Sequence, residues 1–547
     1  MRCVTGPSLT GTCTGRSACA TGALKRIAVV AACFTILAWL RTIAASDWPT
    51  YGHDPQRTGW AVEEATLTPA NVANLSLKWK VKLKNEPLSL TALTAPVVAD
   101  HVNTAQGAKT VVYVAGSSNH LFAVDAASGA ILWSHDFDTH ISIKDETMWL
   151  CPNNLNATPV IDERSGTIYA IASDGRMWGL DLGSGDVKFG PAQFVPPYSK
   201  DWSLNQHDSM IYTAISQGCG GAQSGVYAMD VSDPRRPVVR DLFLANQGAG
   251  VWGRGGPTIG LNNRIYVATG DGPHNPAAGD YGSSFVSVSL RDLKVLDYYA
   301  PEDYAHLTRY DLDIGSTSPV WFASGDFNLV AAGGKGGVLY LLDADSLGEK
   351  DHHEPLYIAK LANDPEEFQA KGMWGVPAVW RDETGTMWLY VSIYGPVSVH
   401  APKAPIENGP TPHGSILAFK VASDEATKKP TLQPAWVSRD FDVPDPPVVA
   451  NGVLFALSTG ENTSQTTGTK VIYSGQKTLT DQERAANTHN AELYALDART
   501  GKLLYRSGDA MTTWVHFSGL ALANGQVYAV DHDSNLYCFG LKEQPGR

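Results

Sequence analysis

The stretch "YDLDIGSTSP" (310–319) sets two carboxylates, Asp311 and Asp313, two residues apart. In an extended segment that spacing places both side chains on one face. Two carboxylates on one face suit two tasks: one can serve as a general base and the other can hold a hard cation. A pair of solvated loop acids is the plainer alternative. A third acid, Asp271, stands in "VATGDGPHN" just past a predicted strand, where Asp-Gly also makes an ordinary hairpin turn. Lys335 stands in "GGKGG", whose flanking glycines clear space for something flat beside an ammonium. A solvated hairpin-tip lysine would read the same way. Trp252 and Arg254 share the glycine-rich "GAGVWGRGGPT", which lets backbone approach a ligand.

What would carry these residues is a repeat. "LFAVDAASGAILWSHDF" (121–137) and "LYALDARTGKLLYRSGD" (493–509) share one spacing of hydrophobic run, Asp, Gly-bearing turn and aromatic. Further copies begin near residues 168, 226, 265, 329, 388, 452 and 527, the one opening at 452 closing with the 493–509 stretch. Period-two alternation within each copy predicts strands, and Gly, Asn and Asp clusters predict hairpin turns. Eight units of about 60 residues cannot bury their own faces and must stack. We expect an all-β, eight-bladed β-propeller of four-stranded antiparallel blades, with an open β-solenoid as the competing architecture. The repeated aromatic is expected to close its blade and the Asp-to-Gly turn to reverse the chain. Chemistry should therefore lie where copies deviate from one another.

A length of 547 residues with 43% hydrophobic and 18% charged residues supports a large packed core. The net charge of −13 provides no basic footprint for nucleic acid. Lys25 and Arg26 precede the apolar run "IAVVAACFTILAWL" (27–40), and "RTIAAS" follows with small residues suited to signal cleavage. Residues 1–45 read as a secretory signal, 46–547 as one propeller domain, and the location as periplasmic or secreted. Lipid attachment at Cys33, in "VAAC", is the alternative for this leader. No other stretch approaches a membrane span. Four of the seven cysteines lie in the leader, leaving Cys151, Cys219 and Cys538. Cys538 alternates like a buried strand residue, while Cys151 and Cys219 lie in turn-rich segments and form the natural disulfide pair.

The phrase A-x-D-x-x-[ST]-G-x-x-x-W resembles the repeat of pyrroloquinoline-quinone (PQQ) propellers. "DWPTYGHDPQRTGW" (47–60), "YDLDIGSTSPV" (310–320) and "GGKGGVLYLLD" (333–343) resemble quinoprotein alcohol dehydrogenases, nearest to the polyvinyl-alcohol-dehydrogenase-like branch. The resemblance implies a PQQ- and calcium-dependent oxidation of an alcohol, secondary and polymeric alcohols included. It implies Asp271 and Asp313 as metal ligands and Asp313 or Asp311 as base. It further implies Trp252 as the floor under the quinone, Lys335 at its carbonyl oxygens and Arg254 at a carboxylate. Trp514 and His516, in "TTWVHFSGLAL", are expected to line the same central funnel.

Three features depart from that family. "MWLCPNN" (148–154) has one cysteine where methanol-type enzymes have an adjacent pair, and a Cys151–Cys219 bridge would be another route to a lid. "SQGCGGAQSG" (216–225) lacks the calcium-binding Glu. No CxxCH haem motif occurs, so electrons would pass to an external acceptor such as a cytochrome c. Two insertions, 395–414 and 458–490, interrupt blade hairpins and should project from one face. A non-catalytic propeller serving as an interaction scaffold is the competing function. A carbohydrate-active propeller is the remoter alternative.

Overall fold

The computed structural model describes residues 47–88, 92–139, 157–367, 371–464, 467 and 479–542. Alternating apolar residues give short strands throughout, and among the described residues these assemble into eight mainly antiparallel blade sheets, with one small two-stranded sheet, His274–Asn275 and Asp280–Tyr281, beside them. The blades are 97–136, 160–193, 200–243, 258–299, 320–360, 372–437, 448–506 and 521–541. The eighth takes its outermost strand, Leu75–Lys82, from the N-terminal side, pairing antiparallel with Asn535–Leu541. That pairing fastens the two ends of the propeller chain and leaves no open ring.

The repeated phrase turns out to act between blades. Trp133, at the end of the blade 1 phrase, donates its Nε1–H to the Leu182 carbonyl of blade 2 at 3.0 Å. Its indole lies where a Cβ on Gly185 would stand, 2.7 Å away. Trp79 repeats the contact on Ala126 and Gly129 of blade 1, and Trp436 repeats it on Ala498 and Gly501 of blade 7. The turn glycine thus does two jobs: it adopts a positive φ and makes room for the neighbour's tryptophan. The expectation that the aromatic closes its own blade is corrected here, because the ring joins its blade to the next.

Apolar clusters lie accordingly between neighbouring blades, as with Tyr113, Leu121, Ile168 and Leu180 between blades 1 and 2. Blade 6 departs from the plain pattern. Its 395–414 insertion contributes Ile406–Glu407, which pairs parallel with the outer strand Pro430–Val437. That part of the insertion packs on the blade edge and does not project freely.

The segment 48–60 is a strap sewn to the inner strands. Its carbonyls at Trp48, Pro49, Pro55, Gln56, Thr58 and Gly59 accept from Val98, Ile161, Ile259, Trp321, Val379 and Val449, spanning blades 1, 2, 4, 5, 6 and 7. Thr50 and Arg57 add bonds to the Leu204 carbonyl of blade 3. One short segment therefore fixes the inner ends of seven blades in a single ring.

Candidate functional site

A cavity of about 840 Å3 opens where the inner ends of blades 3 to 8 converge. Asp271, Asp311, Asp313, Lys335, Trp252, Arg254 and His516 all line it. Blade 4 supplies Asp271 just beyond its second strand, Arg264–Ala268. The connection from blade 4 to blade 5 supplies the other two acids. Period-two spacing on an extended segment is not what unites them. Asp311 caps the helix Tyr304–Tyr310 in a left-handed conformation, and Asp313 caps a 3-10 turn, Ile314–Ser316. Both still reach Lys335, because a tight corner brings them inward where a strand would have carried them past.

Lys335 Nζ pairs with Asp311 Oδ1 and, at 2.8 Å, with Asp313 Oδ2. It also lies 4.8 Å from the Trp252 ring centre and 5.9 Å from that of Trp374. Asp313 Oδ1 accepts from Trp252 Nε1 and from Gly315 N, each at 2.9 Å. Both Asp313 oxygens are thus engaged. The glycine before Lys335 serves the backbone more than a ligand: a Cβ on Gly334 would meet the Asp313 carbonyl oxygen at 2.6 Å.

One carboxylate oxygen of each of Asp271, Asp311 and Asp313 lies within 4.8 Å of the other two. Three acids face one lysine, an excess of negative charge in a partly buried place. Burial, with Asp313 and Asp311 nearby, pushes the Asp271 carboxyl up to about 9. Burial also raises Asp313 against the opposing pull of Lys335. Burial works against the Lys335 charge, but the three acids hold its pKa above the usual lysine value. Asp271 Oδ1 is buried with no hydrogen-bond partner. An orphaned acceptor among convergent carboxylates suits a hard cation, which takes oxygen ligands and would neutralise the excess charge.

Another part of the cavity is basic; the sequence pointed there to Arg254 and His516 but not to Lys200, Arg484 or Glu461. Lys200, Arg254 and Arg484 line it, together with Glu461. Arg254 donates to the Phe517 and His516 carbonyls at 2.7 and 2.8 Å. Burial, with the Arg254 and Arg484 charges, lowers Lys200 to about 7. Glu461 Oε1 accepts from Arg484 at 2.8 Å and from His516 Nδ1 at 2.6 Å. Burial and the two arginines outweigh Glu461 and lower His516 to about 4, so its imidazole is neutral with the proton on Nδ1. Glu461 and Arg484 come from the 458–490 insertion, which therefore builds part of the wall.

Aromatic rings complete the cavity. Trp374, Tyr394 and Phe517 are parallel within 10°, with centroids 5.5 to 6.0 Å apart in every pairing. Three parallel rings at near-equal separations cannot form one column, so they spread sideways into a platform. Trp252 meets Trp374 at 72°, edge to face. Trp514 is not brought to the cavity; it stacks on His532 with centroids 4.0 Å apart. Cys219 is disulfide-bonded, whereas Cys151 lies outside the described residues. Cys538 is a free, buried cysteine.

Residues 48–195 match the family model of the PQQ glucose/ethanol/alcohol dehydrogenase β-propeller domain. Curated proteins searched by sequence give no match. Among solved structures, the europium-containing methanol dehydrogenase is similar with a TM-score of 0.58 at 13% identity, covering 93% of this chain and 100% of that one. The quinohemoprotein alcohol dehydrogenase of Comamonas testosteroni gives 0.56 at 16% identity over 93% and 83%. Quinohemoprotein alcohol dehydrogenase ADHIIG of Pseudomonas putida HK5 gives 0.55 at 13% over 92% and 82%. At these identities the structural likeness establishes the fold. With the family match it supports the resemblance to PQQ alcohol dehydrogenase propellers read from the repeats.

Proposed function

We propose that this protein is an exported PQQ- and cation-dependent dehydrogenase that oxidises an alcohol and passes the electrons to an external acceptor. The observation that carries the reading is the acid cluster, whose orphaned Asp271 Oδ1 faces a cavity with an aromatic platform on one side and three basic side chains on another. Asp271 and Asp313 would hold the cation, calcium or a lanthanide, with Asp311 beside them. Lys200, Arg254 and Arg484 would meet the carboxylates of the quinone, and Trp252 or the Trp374 platform its flat face. When bound, the quinone supplies the hydride acceptor that no amino-acid side chain provides.

The chain's own residues divide the remaining work. Asp313 is held by Trp252, Gly315 and Lys335, which suits it to positioning Lys335 and a cation. Asp311, whose Oδ1 rests on Lys335, is our choice for the base that takes the hydroxyl proton. The leader argues for export, and no helix among the described residues is long and apolar enough to cross a membrane.

The test is titration of the purified mature protein with PQQ in the presence of calcium, followed by absorbance, beside Lys335→Ala and Asp271→Ala. Saturable binding that both variants lose supports the reading and opens a screen of alcohols with an artificial electron acceptor. A folded wild type that binds no quinone with calcium or a lanthanide overturns it.

A further inference from the structure

Between the cavity and the strap, four buried polar atoms have no hydrogen-bond partner: Tyr394 Oη, Asp445 Oδ1, Tyr51 Oη and Arg57 Nε. Their residues are 1%, 0%, 3% and 0% exposed. Orphaned buried polar groups are rare, and each left dry costs a desolvation penalty that folding would have to absorb.

They come from separate elements that meet at the inner ends of the blades. Tyr51 and Arg57 belong to the strap, Tyr394 ends the strand Met387–Tyr394 of blade 6, and Asp445 precedes blade 7. Gly519 joins two of them. Its N–H donates to Asp445 Oδ2 at 2.9 Å, and a Cβ on it would lie 3.4 Å from Tyr51 Oη. Ser392, on the same strand as Tyr394, donates to the Asp445 carbonyl at 3.1 Å. Tyr394 and Arg254 line the main cavity, while Tyr51, Arg57 and Gly519 line a separate void of about 10 Å3. The rest of that void is lined largely by apolar residues, and neither Asp445 nor Tyr394 faces it.

We propose that Tyr394, Asp445 and Tyr51 form a proton-holding site beneath the cavity, with Asp445 as the group that takes and releases the proton. The charged and titratable groups around Asp445 are Arg254 and Glu461, with the Tyr51 and Tyr394 phenols; Arg57 acts on Tyr51. Burial lifts the Asp445 carboxyl to about 7, against the Gly519 N–H and Arg254 and with a contribution from Glu461. A carboxyl placed there exchanges protons near neutral pH. Resting on the dehydrogenase reading, its use follows from the balance of the reaction. An alcohol becoming a carbonyl gives up two electrons and two protons. The carbon-bound hydrogen would leave with both electrons as hydride and be released as a proton once the external acceptor removes those electrons. The hydroxyl proton, taken first by Asp311, needs a further group able to receive it from the cavity. The Asp445 carboxylate, reached past Tyr394, becomes a neutral carboxyl on receiving it and returns it to solvent afterwards.

The test is infrared spectroscopy of the quinone-free mature chain, comparing wild type with Asp445→Asn at about pH 6, where a carboxyl so raised is mostly protonated. A protonated-carboxyl C=O band is expected in wild type and absent from the variant, so the difference spectrum isolates it from Asp201 and Asp271. Transfer to heavy water should shift the band promptly, and Tyr394→Phe should slow that shift by about tenfold or more. Tyr394→Phe keeps the test decisive if Asp445→Asn does not fold. A wild type with no such band between about pH 5 and 7, a band that survives in Asp445→Asn, or one that heavy water reaches equally fast in Tyr394→Phe overturns the proposal. Because no quinone is present, failure of the dehydrogenase reading shows separately, in the PQQ titration.

Discussion

The two ends of the cavity are built in opposite ways. The acidic end draws Asp271, Asp311, Asp313 and Lys335 from blades 4 and 5, within 65 residues of chain. The basic end draws Lys200 from blade 3, Arg254 from the connection to blade 4, Arg484 from blade 7 and His516 from the connection to blade 8, spread over more than 300 residues. Asp271 and Lys335 interrupt a repeat whose plain form is known from the other copies, while Asp311 and Asp313 lie in the connection between blades 4 and 5. Arg254 and His516 sit in connections and Arg484 in an insertion, none with a plain form to deviate from, while Lys200 stands in the short first strand of blade 3. The difference separates two functions as well: one end concentrates negative charge for a cation, and the other holds positive charge for anionic groups.

The largest effect that tests this division comes from Lys335→Ala. Removing the one cation that faces three acids leaves buried charge uncompensated, a loss of about 3–5 kcal/mol. Urea unfolding should show that loss without divalent cation and a partial recovery with calcium or a lanthanide. If metal restores nothing, the acidic end is a structural ion-pair network and the comparison fails.

Asp271→Asn comes next. The orphaned oxygen serves no bond within the protein, so stability without metal should hold or rise. Stabilisation by saturating cation, about 2.7 kcal/mol at a hundredfold excess over Kd, should vanish. Thermal melts with and without calcium check both halves.

A smaller effect is expected at the other end from Arg484→Met. PQQ affinity should weaken by about tenfold, or 1.4 kcal/mol. The calcium-dependent shift in Tm should persist, since Arg484 contacts Glu461 and not the acid cluster. Loss of the metal response in this variant would show that the two ends are not separable.

The smallest effect is a pH dependence. His516 has a folded pKa near 4, below its unfolded value near 6.5, so between those values the unfolded chain binds more protons. Stability should therefore fall as pH drops through about 6.5 toward 4, and His516→Gln should flatten that part of the curve. Nitrogen NMR should find the Nδ1–H tautomer at neutral pH; an imidazolium there would remove the neutral acceptor from the basic end.

The acidic end was legible because repetition supplies its own reference. Lys335 in "GGKGG" and Asp271 in "TGDGP" stand out against hairpins that lack them. The reading still failed on local geometry. Asp311 and Asp313 share a site through a helix cap and a 3-10 turn, which alternating residues cannot announce. It also missed Trp374, Tyr394 and Phe517, since an aromatic in a blade sequence looks the same whether it packs in the core or faces the cavity. Trp514 was misplaced for the same reason. The 458–490 insertion was visible, but that its ends supply Glu461 and Arg484 to the wall depends on how the loop folds back.

What the sequence determined by itself is the blade and its joint. Alternation makes strands, a turn glycine admits a positive φ, and that same glycine leaves space for the tryptophan of the neighbouring blade, so a short phrase specifies both the unit and its stacking. Those are interactions of short range, written afresh in each copy. Tertiary structure alone decided which acids share a lysine, which cations gather opposite them, and which buried groups are left without a partner beneath the cavity. Such sites arise where blade ends from distant parts of the chain converge, and the ring closed by Leu75–Lys82 and held by the 48–60 strap sets their separation.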